Sequence, residues 1–582
     1  MALAERGLSR GFLGRWLNPG PAVMFVLATL ASLCVAAMLA VVIWLSFVDG
    51  LPGDPRLTYS LVHYKEILLD SFTYRVIANT LVFSAISLLV ALTCGLPLAW
   101  LMERTDFPGK SVVFTLMTVG LLVPGFAVAL GWVFLLHPNV GIINQILMST
   151  FGLSEPPINI VNIVGMGIVE GLSLSPVIFI MTAVVFRTMN VALEEAARMN
   201  HATLWQTIRQ ITLPLALPGI VAASIYVFAI GFAAFDIPAV IGLAGRIYTF
   251  STYVFDQMNP NQGIPQYGAV AVLSVIMVFL AIGLSFGYSA MQRRAPRYAV
   301  ITGKSYRPSV LPLGRWRWTS IAFVGTYFSL TQLMPILMLV WAAGLPYVQV
   351  PSSAAVAQFS LRNFQNLPIE MIWNGLRNTL SLMVLVPTVT LTIAVAVSWV
   401  VLRSNFRFRG IFDFFAFLPH AIPAIVFSVA AWLLALYFLR DIVPIYGTIW
   451  ILVLVYAIVR LSYATRMTNS ALIQIHKELD ESALMSGART AGVLRYVLIP
   501  LLMPTILYSW IWIALLAYRE LTLPVILATA QNQPLSVVVW SLVATSSYGS
   551  ASAVALIMLA IMMPMLFIYW LFARQFQRIG EA

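Results

Sequence analysis

Charged side chains are scarce in this sequence. Of its 582 residues, 9% are Asp, Glu, Lys or Arg, whereas 60% are hydrophobic. A soluble domain usually has about 25% charged residues, and no soluble core needs so much apolar sequence. The composition therefore excludes an ordinary soluble protein and indicates that lipid surrounds most of the chain.

Cysteine is also nearly absent. The two cysteines, Cys34 and Cys94, both lie within apolar runs. Two such residues exclude a disulfide framework, and their spacing is not that of metal ligands. The sequence also has no zinc-ligand cluster, no nucleophile elbow and no assembled catalytic pair. We therefore expect neither a metal site nor catalytic residues.

A complete phosphate-binding loop is missing as well. Gly-Lys-Ser occurs at 109–111 and again at 303–305. The motif also requires a glycine five positions before its second glycine, but Arg104 and Tyr298 stand at those positions. We therefore expect no ATP site in this chain.

The net charge of +12 could indicate a partner nucleic acid. However, the Lys and Arg residues of membrane proteins gather in cytoplasmic loops, so we expect membrane lipid and no nucleic acid at the basic segments. With the N-terminus in the cytoplasm, about two dozen Lys and Arg residues lie inside and about seven outside. An even number of spans then places both termini in the cytoplasm.

Long apolar runs are what the sequence has instead. Runs of about 20 to 27 residues can cross a hydrocarbon core of about 30 Å as helices, and helices satisfy their own backbone hydrogen bonds in lipid. The sequence therefore predicts an all-α polytopic membrane protein, with shorter interfacial or outer segments near 139–151 and 350–372. About twelve transmembrane helices are expected, at about 22–47, 78–101, 111–137, 160–186, 217–243, 267–290, 319–344, 376–401, 411–438, 446–468, 503–529 and 553–574.

The second part of the chain repeats the first. We expect two homologous six-helix halves, 1–290 and 319–582, in parallel orientation about an axis along the membrane normal. A basic cytoplasmic connector at 291–318 would join them. The pairs that define the repeat are Asn79 with Asn378, Thr80 with Thr379, Trp100 with Trp399, Arg104 with Arg403, Phe107 with Phe406, Lys110 with Arg409, Pro214 with Pro500 and Pro218 with Pro504.

Two long loops, at about 190–214 and 476–500, share one pattern. In each loop a glutamate, Glu195 or Glu481, precedes a proline by nineteen residues. We expect a short amphipathic helix, a turn and a second helix that ends at the proline, because proline lacks the amide donor of a helix interior. An acidic residue near a helix start is favoured by the helix dipole, and small residues beside it allow another protein to come close.

These loops resemble the EAA loop of permeases of bacterial binding-protein-dependent ABC importers. The family pattern is Glu-Ala-Ala, three residues, Gly, nine residues, Ile, one residue and Leu-Pro. The resemblance implies a type I ABC importer permease fold in the bacterial inner membrane. It also implies two copies of a cytoplasmic ABC ATPase, which hold ATP and Mg²⁺, and a periplasmic substrate-binding protein as partners. The permease itself is expected to bind no cofactor.

In that family the loop forms a coupling helix that docks in a cleft of the ATPase subunit. The resemblance assigns this coupling role to individual residues here. His201 stands where the pattern has glycine, which leaves open whether the first loop forms its tight turn, and Ser482 and Val497 also depart from the pattern. The expected ATPase-coupling residues are Glu195, Ala196, Ala197, His201, Ile211, Leu213 and Pro214 in the first loop, and Glu481, Ser482, Ala483, Gly487, Val497 and Pro500 in the second.

Other segments look like the fused permeases for ferric iron. They are 302–308 with 314–318 in the connector, and 231–238 near the fifth span. This resemblance implies ferric iron as the cargo. Related fused permeases serve phosphonates, polyamines and thiamine, so these solutes are alternative cargoes.

A few ionisable residues fall within the predicted spans. Charges at such depth are costly and usually face a cavity or a partner. We interpret them as a translocation path or gate between the halves, with plain internal ion pairs as the alternative. The residues are Asp236, Arg519, Glu520, Glu170 and Arg460.

An ion-coupled secondary transporter is the alternative class. Such proteins also combine repeats with twelve spans, but they typically place coupling carboxylates or broken helices at the membrane midplane. This sequence has few carboxylates within its spans and has two loops of the ATPase-docking type. The sequence therefore favours an ATP-driven importer that works by alternating access.

Overall fold

The computed structural model describes residues 19–50, 57–189, 191–258, 265–294 and 310–581. These residues are almost wholly helical. The sheet found among them pairs two short antiparallel strands, β1 (Val48–Asp49) and β2 (Thr58–Tyr59). The predicted all-α class is confirmed.

The described part of the first half forms helices α1 to α11. A π turn (Pro238–Gly242) follows α9. The helices are α1 (Pro19–Leu45), α2 (Val62–Leu69), α3 (Ser71–Arg104), α4 (Lys110–Leu122), α5 (Gly125–Leu136), α6 (Ile142–Phe151), α7 (Ile163–Thr188), α8 (Ala192–Met199), α9 (Leu204–Ala233), α10 (Phe250–Met258) and α11 (Tyr267–Arg294).

The second half repeats this order. Helix α18 has the bounds of α7 displaced by 286 residues, from Ile163 to Ile449 and from Thr188 to Gln474. The helices are α12 (Gly314–Gly344), α13 (Ser353–Ala357), α14 (Arg362–Gln365), α15 (Ile369–Arg403), α16 (Arg409–Ala421), α17 (Ala424–Phe438), α18 (Ile449–Gln474), α19 (Lys477–Met485), α20 (Thr490–Arg519), α21 (Pro524–Leu527), α22 (Leu535–Ala544) and α23 (Tyr548–Glu581).

The number of spans agrees with the prediction. Ten helices among the described residues are long and apolar enough to cross a membrane. Two further spans are bent pairs, α4 with α5 at 95° and α16 with α17 at 110°, which brings the total to as many as twelve. The predicted connector at 291–318 is only partly visible, because 295–309 lie outside the described residues.

Proline explains both bends. Val123 and Ile422 have extended backbones and each precedes a proline, Pro124 or Pro423. The proline ring clashes with the backbone of the residue before it and disfavours the helical conformation there. The chain therefore leaves the helix at these two equivalent positions and begins a new helix directly afterwards.

The prediction that the second loop helices end at Pro214 and Pro500 is wrong. Helices α9 and α20 run through these prolines into the membrane. In both, a π turn, Ile208–Thr212 or Leu494–Leu498, ends two residues before the proline. A proline ring clashes with the carbonyl four residues before it, and the wider π turn, whose bonds span five residues, accommodates the ring.

These same helices end earlier than the predicted spans 217–243 and 503–529. Helix α9 stops at Ala233 and α20 stops at Arg519, because the next residues, Ala234 and Glu520, have extended backbones. Both apolar runs continue beyond these points, so hydrophobicity alone gave no sign of the breaks. The predicted spans are therefore interrupted helices.

The first span of each half packs on the other half. Helix α1 lies against α15 and α17, and Phe25 contacts the rings of Trp399, Phe406 and Phe412 at centroid distances of 5.5 to 6.4 Å. Helix α12 lies against α5 in the same way. The two halves are therefore interlocked, and neither buries all of its apolar surface alone.

The contact between α5 and α12 depends on Gly131. A Cβ atom at this position would lie 2.6 Å from Cα of Pro335, so we expect Gly131→Ala to destabilise the permease by about 1–3 kcal/mol through overpacking. Gly325→Ala on α12 is the matched control, because its Cβ would meet open space. Thermal unfolding of the detergent-solubilised protein measures both. Equal midpoints for the two variants would contradict the close packing.

Candidate functional site: two coupling loops and a central cluster

Helix α8 ends in a tight turn of the Schellman type. The Ala202 N–H donates to the Ala197 carbonyl and the His201 N–H donates to the Arg198 carbonyl, both at 3.0 Å. The motif requires a left-handed residue after the helix, and His201 has a φ of 59°. A non-glycine residue therefore holds the left-handed position.

Helix α19 ends in the same motif. The Ala488 N–H donates to the Ala483 carbonyl at 3.1 Å, and the Gly487 N–H donates to the Leu484 carbonyl at 3.0 Å. Gly487 has a φ of 86°. The two predicted coupling loops therefore share one turn geometry, and the turn at His201 is formed despite the missing glycine.

A carboxylate anchors the short helix of each loop, α8 or α19 (the two coupling helices), to a long helix. In the first loop, Arg104 Nε lies 3.4 Å from Glu194 Oε2, with side chains 4% and 5% exposed. Thr212 Oγ1 donates a 2.8 Å hydrogen bond to Glu194 Oε1. In the second loop, Arg403 Nε lies 3.2 Å from Asp480 Oδ2. Each arginine is the last residue of α3 or α15, so the coupling helices are tied to equivalent points.

The family pattern gave no sign of the Glu194 and Asp480 anchors, because it begins one residue later. A signal was available: this position is acidic in both loops, and the repeat pairs Arg104 with Arg403. Burial raises the pKa of the Asp480 carboxyl, and the charge of Arg403 opposes that shift. The ion pair thus offsets part of the cost of burying the carboxylate.

The predicted coupling residues divide by exposure. Glu195 is half-buried and Glu481 is exposed, so the two glutamates have different surroundings. The other half-buried members are Ala197, Ile211, Leu213, Ala483 and Val497, and the exposed members are Ala196, His201, Pro214, Ser482, Gly487 and Pro500. Of the exposed set, Pro214 and Pro500 lie within α9 and α20, and the others lie in the loops before these prolines.

The predicted intramembrane residues come together between the halves. They form the central cluster, which consists of Glu170, Asp236, Arg460, Arg519 and Glu520. Arg519, at the end of α20, donates hydrogen bonds through Nη1 to the carbonyls of Leu121 and Val123, the latter at 3.4 Å. These carbonyls lie where α4 ends, and the last carbonyls of a helix have no partner within it and attract cations.

Asp236 makes a second contact between the halves. Its Oδ1 accepts a 3.3 Å hydrogen bond from Thr522 Oγ1. The two residues are separated by 286 positions and are therefore equivalents in the repeat. A Cβ atom on Gly125 would lie 3.0 Å from Asp236 Oδ2, so this glycine leaves room for the carboxylate beside the bend of α4 and α5.

The remaining members complete the cluster. Arg460 forms an ion pair with Glu520, and the Ser536 hydroxyl donates to the Glu520 carbonyl at 2.7 Å. Glu170 is buried and interacts electrostatically with Asp236 and Arg519. The plain ion-pair interpretation thus describes Arg460 and Glu520, whereas Arg519 bonds to backbone of the other half.

A tyrosine that sequence reasoning missed adjoins the cluster. Tyr456 is fully buried, and its hydroxyl has no hydrogen-bond partner among the described residues. It interacts electrostatically with Glu520, Arg460 and Asp236. Tyr456 is the repeat equivalent of Glu170, displaced by 286 residues. Only the repeat register, not its own chemistry, could have drawn attention to it.

The two sites are joined by single helices. Helix α9 begins in the first coupling loop and ends three residues before Asp236, and α20 begins in the second loop and ends at Arg519. Each has 30 residues, or about 45 Å at the usual helical rise. Each of these helices therefore links one loop to the central cluster.

Removal of one anchor partner should be costly. Arg104→Met leaves the buried Glu194 carboxylate uncompensated, so we expect a loss of about 3–5 kcal/mol in unfolding free energy. The double variant Arg104→Met/Glu194→Met should recover most of it. The control is Arg187→Met, which removes the partner of Glu103 from a pair whose arginine is 63% exposed. Chemical denaturation in detergent that gave equal losses for Arg104→Met and Arg187→Met would refute the anchor.

Substitutions at the left-handed positions test the turns of the two loops. His201→Gly should stabilise the turn by about 1–2 kcal/mol, because the left-handed region is unfavourable for residues with a Cβ. Gly487→Ala should destabilise the second turn by a similar amount, since its Cβ would meet open space and only the backbone cost remains. Hydrogen exchange of the Ala202 and Ala488 amides measures each turn. Unchanged protection in both variants would contradict the assigned geometry.

Comparison with known protein families agrees with this architecture. The family described as binding-protein-dependent transport system inner membrane component matches the chain twice, at 95–296 and at 388–578. Each match contains one coupling loop and its part of the central cluster. The double match confirms that the chain contains two related permease halves.

Individual relatives cover one or both halves. The ferric transport system permease protein FbpB of Actinobacillus pleuropneumoniae is 24% identical over 524 residues, which are 88% of this chain and 73% of the relative. The Fe(3+)-transport system permease protein FbpB 2 of Haemophilus influenzae is 21% identical, with 86% and 90% covered. The molybdenum transport system permease protein ModB of Escherichia coli is 24% identical over 222 residues, which are 38% of this chain and 94% of the relative.

The repeat, the paired coupling loops and the double family match lead to one assignment. ATPase and binding-protein partners are general to this family, and a transport component of this kind is not itself an enzyme. The chain belongs to the family of inner membrane components of binding-protein-dependent transport systems, as a multi-pass ABC importer permease with two fused halves.

Proposed function

We propose that this permease moves ferric iron, delivered by a periplasmic binding protein, into the cytoplasm. The observation that carries the proposal is the pair of coupling loops with equivalent arginine–carboxylate anchors, each at the start of a helix that reaches the central cluster. The cargo is supported by relatives named as ferric transport permeases that cover more than four fifths of the chain. Phosphonates, polyamines and thiamine are the alternative cargoes.

The loops orient the molecule. The face with α8 and α19 is cytoplasmic in this proposal, with both termini on the same side, because ATPase subunits dock there. Two copies of the ATPase bind, one at each loop, and they hold ATP and Mg²⁺. The permease contributes no ATP site and no cofactor, in line with the incomplete phosphate-loop motifs of its sequence.

In this proposal, two long helices transmit movement of the coupling loops to the central cluster. Closure of the two ATPase subunits draws the coupling loops together, and α9 and α20 carry this movement to Asp236 and Arg519. The Arg519 contacts with α4 and the Asp236 contact with Thr522 both join the halves. These contacts are the closed gate, and they separate when the path opens toward the binding protein. ATP hydrolysis then resets the inward-open state of this alternating-access cycle, in which the gate toward the binding protein is closed.

The coupling glutamates provide a direct test. We expect the double charge reversal Glu195→Lys/Glu481→Lys to abolish transport and to weaken ATPase binding at least about tenfold, or about 1.4 kcal/mol, while the permease stays folded. The matched control is Glu155→Lys/Glu370→Lys, two exposed acidic residues outside the loops. Iron uptake, affinity for the ATPase and the amount of permease in the membrane are measured for both double variants. Retained uptake in Glu195→Lys/Glu481→Lys, at normal membrane levels, would contradict the coupling role.

The cargo is tested with the reconstituted importer. Permease, ATPase and binding protein are placed in proteoliposomes, and ATP hydrolysis is measured with the binding protein empty, ferric-loaded, or loaded with a phosphonate, a polyamine or thiamine. We expect stimulation by the ferric form alone. Stimulation by another ligand would retain the importer and replace the cargo, and no complex with an ATPase would overturn the mechanism.

A further inference from the structure

We propose that an open cavity beside the second coupling helix binds the phosphate of an anionic membrane phospholipid. This headgroup cavity has a volume of about 400 Å³ and lies where α15 and α18 end and where α16 and α19 begin. The proposal goes beyond the ferric cargo and does not depend on it. It takes from the proposed function only the cytoplasmic position of α19.

Basic side chains line the headgroup cavity. Four of its lining residues are Arg403, Arg409, His476 and Lys477, and none of the described lining residues is acidic. Arg409, His476 and Lys477 are exposed, so their polar ends can reach a ligand. Basic pockets between transmembrane helices at the cytoplasmic surface are typical binding sites for phospholipid headgroups.

Hydrogen bonds hold the two arginines in place. Arg403 Nη2 donates to the carbonyls of Leu472 and Ile475, at 3.2 and 2.6 Å. Arg409 Nη1 donates to the Ser404 carbonyl at 3.1 Å. A guanidinium has five N–H donors, so each arginine is positioned by the backbone and retains donors for an anion.

The charge of the headgroup cavity is positive. Asp480 pairs with Arg403, whereas Arg409 and Lys477 meet no carboxylate among the described lining residues. Arg409 and Lys477 are also the first residues of α16 and α19, and the side chain of neither N-cap residue bonds to the helix start. A helix dipole favours an anion at that end. Two basic side chains and two helix starts therefore border the same cavity.

The equivalent place in the first half carries its own carboxylates. Glu103 forms an ion pair with Arg187 at 2.6 Å. Asp106 Oδ1 accepts a 2.7 Å hydrogen bond from the N–H of Leu313, which belongs to the segment that joins the halves. This end of α3 is therefore both neutralised and covered by the chain itself.

The second half has lost these groups. The repeat equivalents of the two carboxylates and of the arginine are Leu402, Asn405 and Ile473, all uncharged. The N-terminal segment 1–18, which lies outside the described residues, has three arginines and one acidic residue, so it brings further positive charge. We therefore assign the missing negative charge to a ligand from outside the chain.

The apolar part of the lining favours a lipid over a free phosphate ion. Ile473 lines the headgroup cavity with its residue surface 70% exposed. A free ion leaves such surface in water, whereas the glycerol and acyl groups of a phospholipid cover it, which is favourable. The other apolar lining residues are Val401, Leu402, Leu472 and Ile475.

The main test measures phosphatidylglycerol binding to the purified permease in detergent by native mass spectrometry. We expect Arg409→Gln/Lys477→Gln to weaken binding at least about tenfold, since each basic residue near an anionic lipid surface contributes about fivefold. The matched control is Lys110→Gln/Arg495→Gln, which removes the same charge from two residues that do not line the cavity. Arg409→Lys/Lys477→Arg keeps the charge and should retain most of the binding.

Equal affinities in the two glutamine double variants would overturn the headgroup cavity as the site. Inorganic phosphate is added as a competitor, and its displacement of the lipid at equal concentration would replace the phospholipid by a free phosphate. Thermal midpoints without added lipid show that each variant is folded. Because binding is measured on the permease alone, the result does not depend on whether ferric-loaded binding protein stimulates the importer.

Photocrosslinking then identifies the occupant in the native membrane. The photoreactive amino acid benzoylphenylalanine replaces Ile473, and the products of illumination are analysed by mass spectrometry. We expect a phospholipid adduct on the peptide that contains position 473. An adduct with residues 1–18 or with the ATPase would overturn the assignment to lipid.

Discussion

Backbone groups without hydrogen-bond partners cannot be left in lipid, and this constraint organises the interior of the permease. In the part of the chain that the structure describes, its spans break at four places: the two proline bends and the ends of α9 and α20. Each break leaves backbone carbonyls that need a hydrogen-bond donor. Arg519 donates to the carbonyls of Leu121 and Val123. The hydroxyls of Ser428 and Ser536 donate to the carbonyls of Leu523 and Glu520, respectively. The polar interior is concentrated where the helices are broken.

The broken helices also resolve an apparent conflict between transporter classes. Broken helices near the midplane are typical of secondary transporters, yet this chain belongs to an ATP-driven family. The difference lies at the other end of the same helices. Helices α9 and α20 begin in loops that are anchored through Glu194 and Asp480, so in the proposed mechanism the loops, rather than a coupled ion, move the breaks.

Fusion of the halves allows their interiors to differ. The backbone repeats closely, from the proline bends to the paired Schellman turns, but the side chains at the centre do not. Glu170 has Tyr456 as its equivalent, Asp236 has Thr522, and Arg519 has Ala233. Two identical subunits would place the same charge on both sides of the axis. A single chain can place an excess of carboxylates on one side and an excess of guanidinium groups on the other, which gives the halves complementary charge.

The sequence by itself determined the class, the number of spans, the repeat and the family, because each depends on apolar length or on residues at fixed spacing. It also selected the five members of the central cluster, since charge within an apolar run is conspicuous. Tertiary structure decided the rest. Contacts between distant segments decide where α9 and α20 end. They also decide that Arg519 bonds to carbonyls of the other half and that Glu194, rather than Glu195, is buried against Arg104. The hydrophobic pattern of the sequence shows which residues avoid water, but only tertiary packing determines which hydrogen-bond or ion-pair partner each buried polar group has.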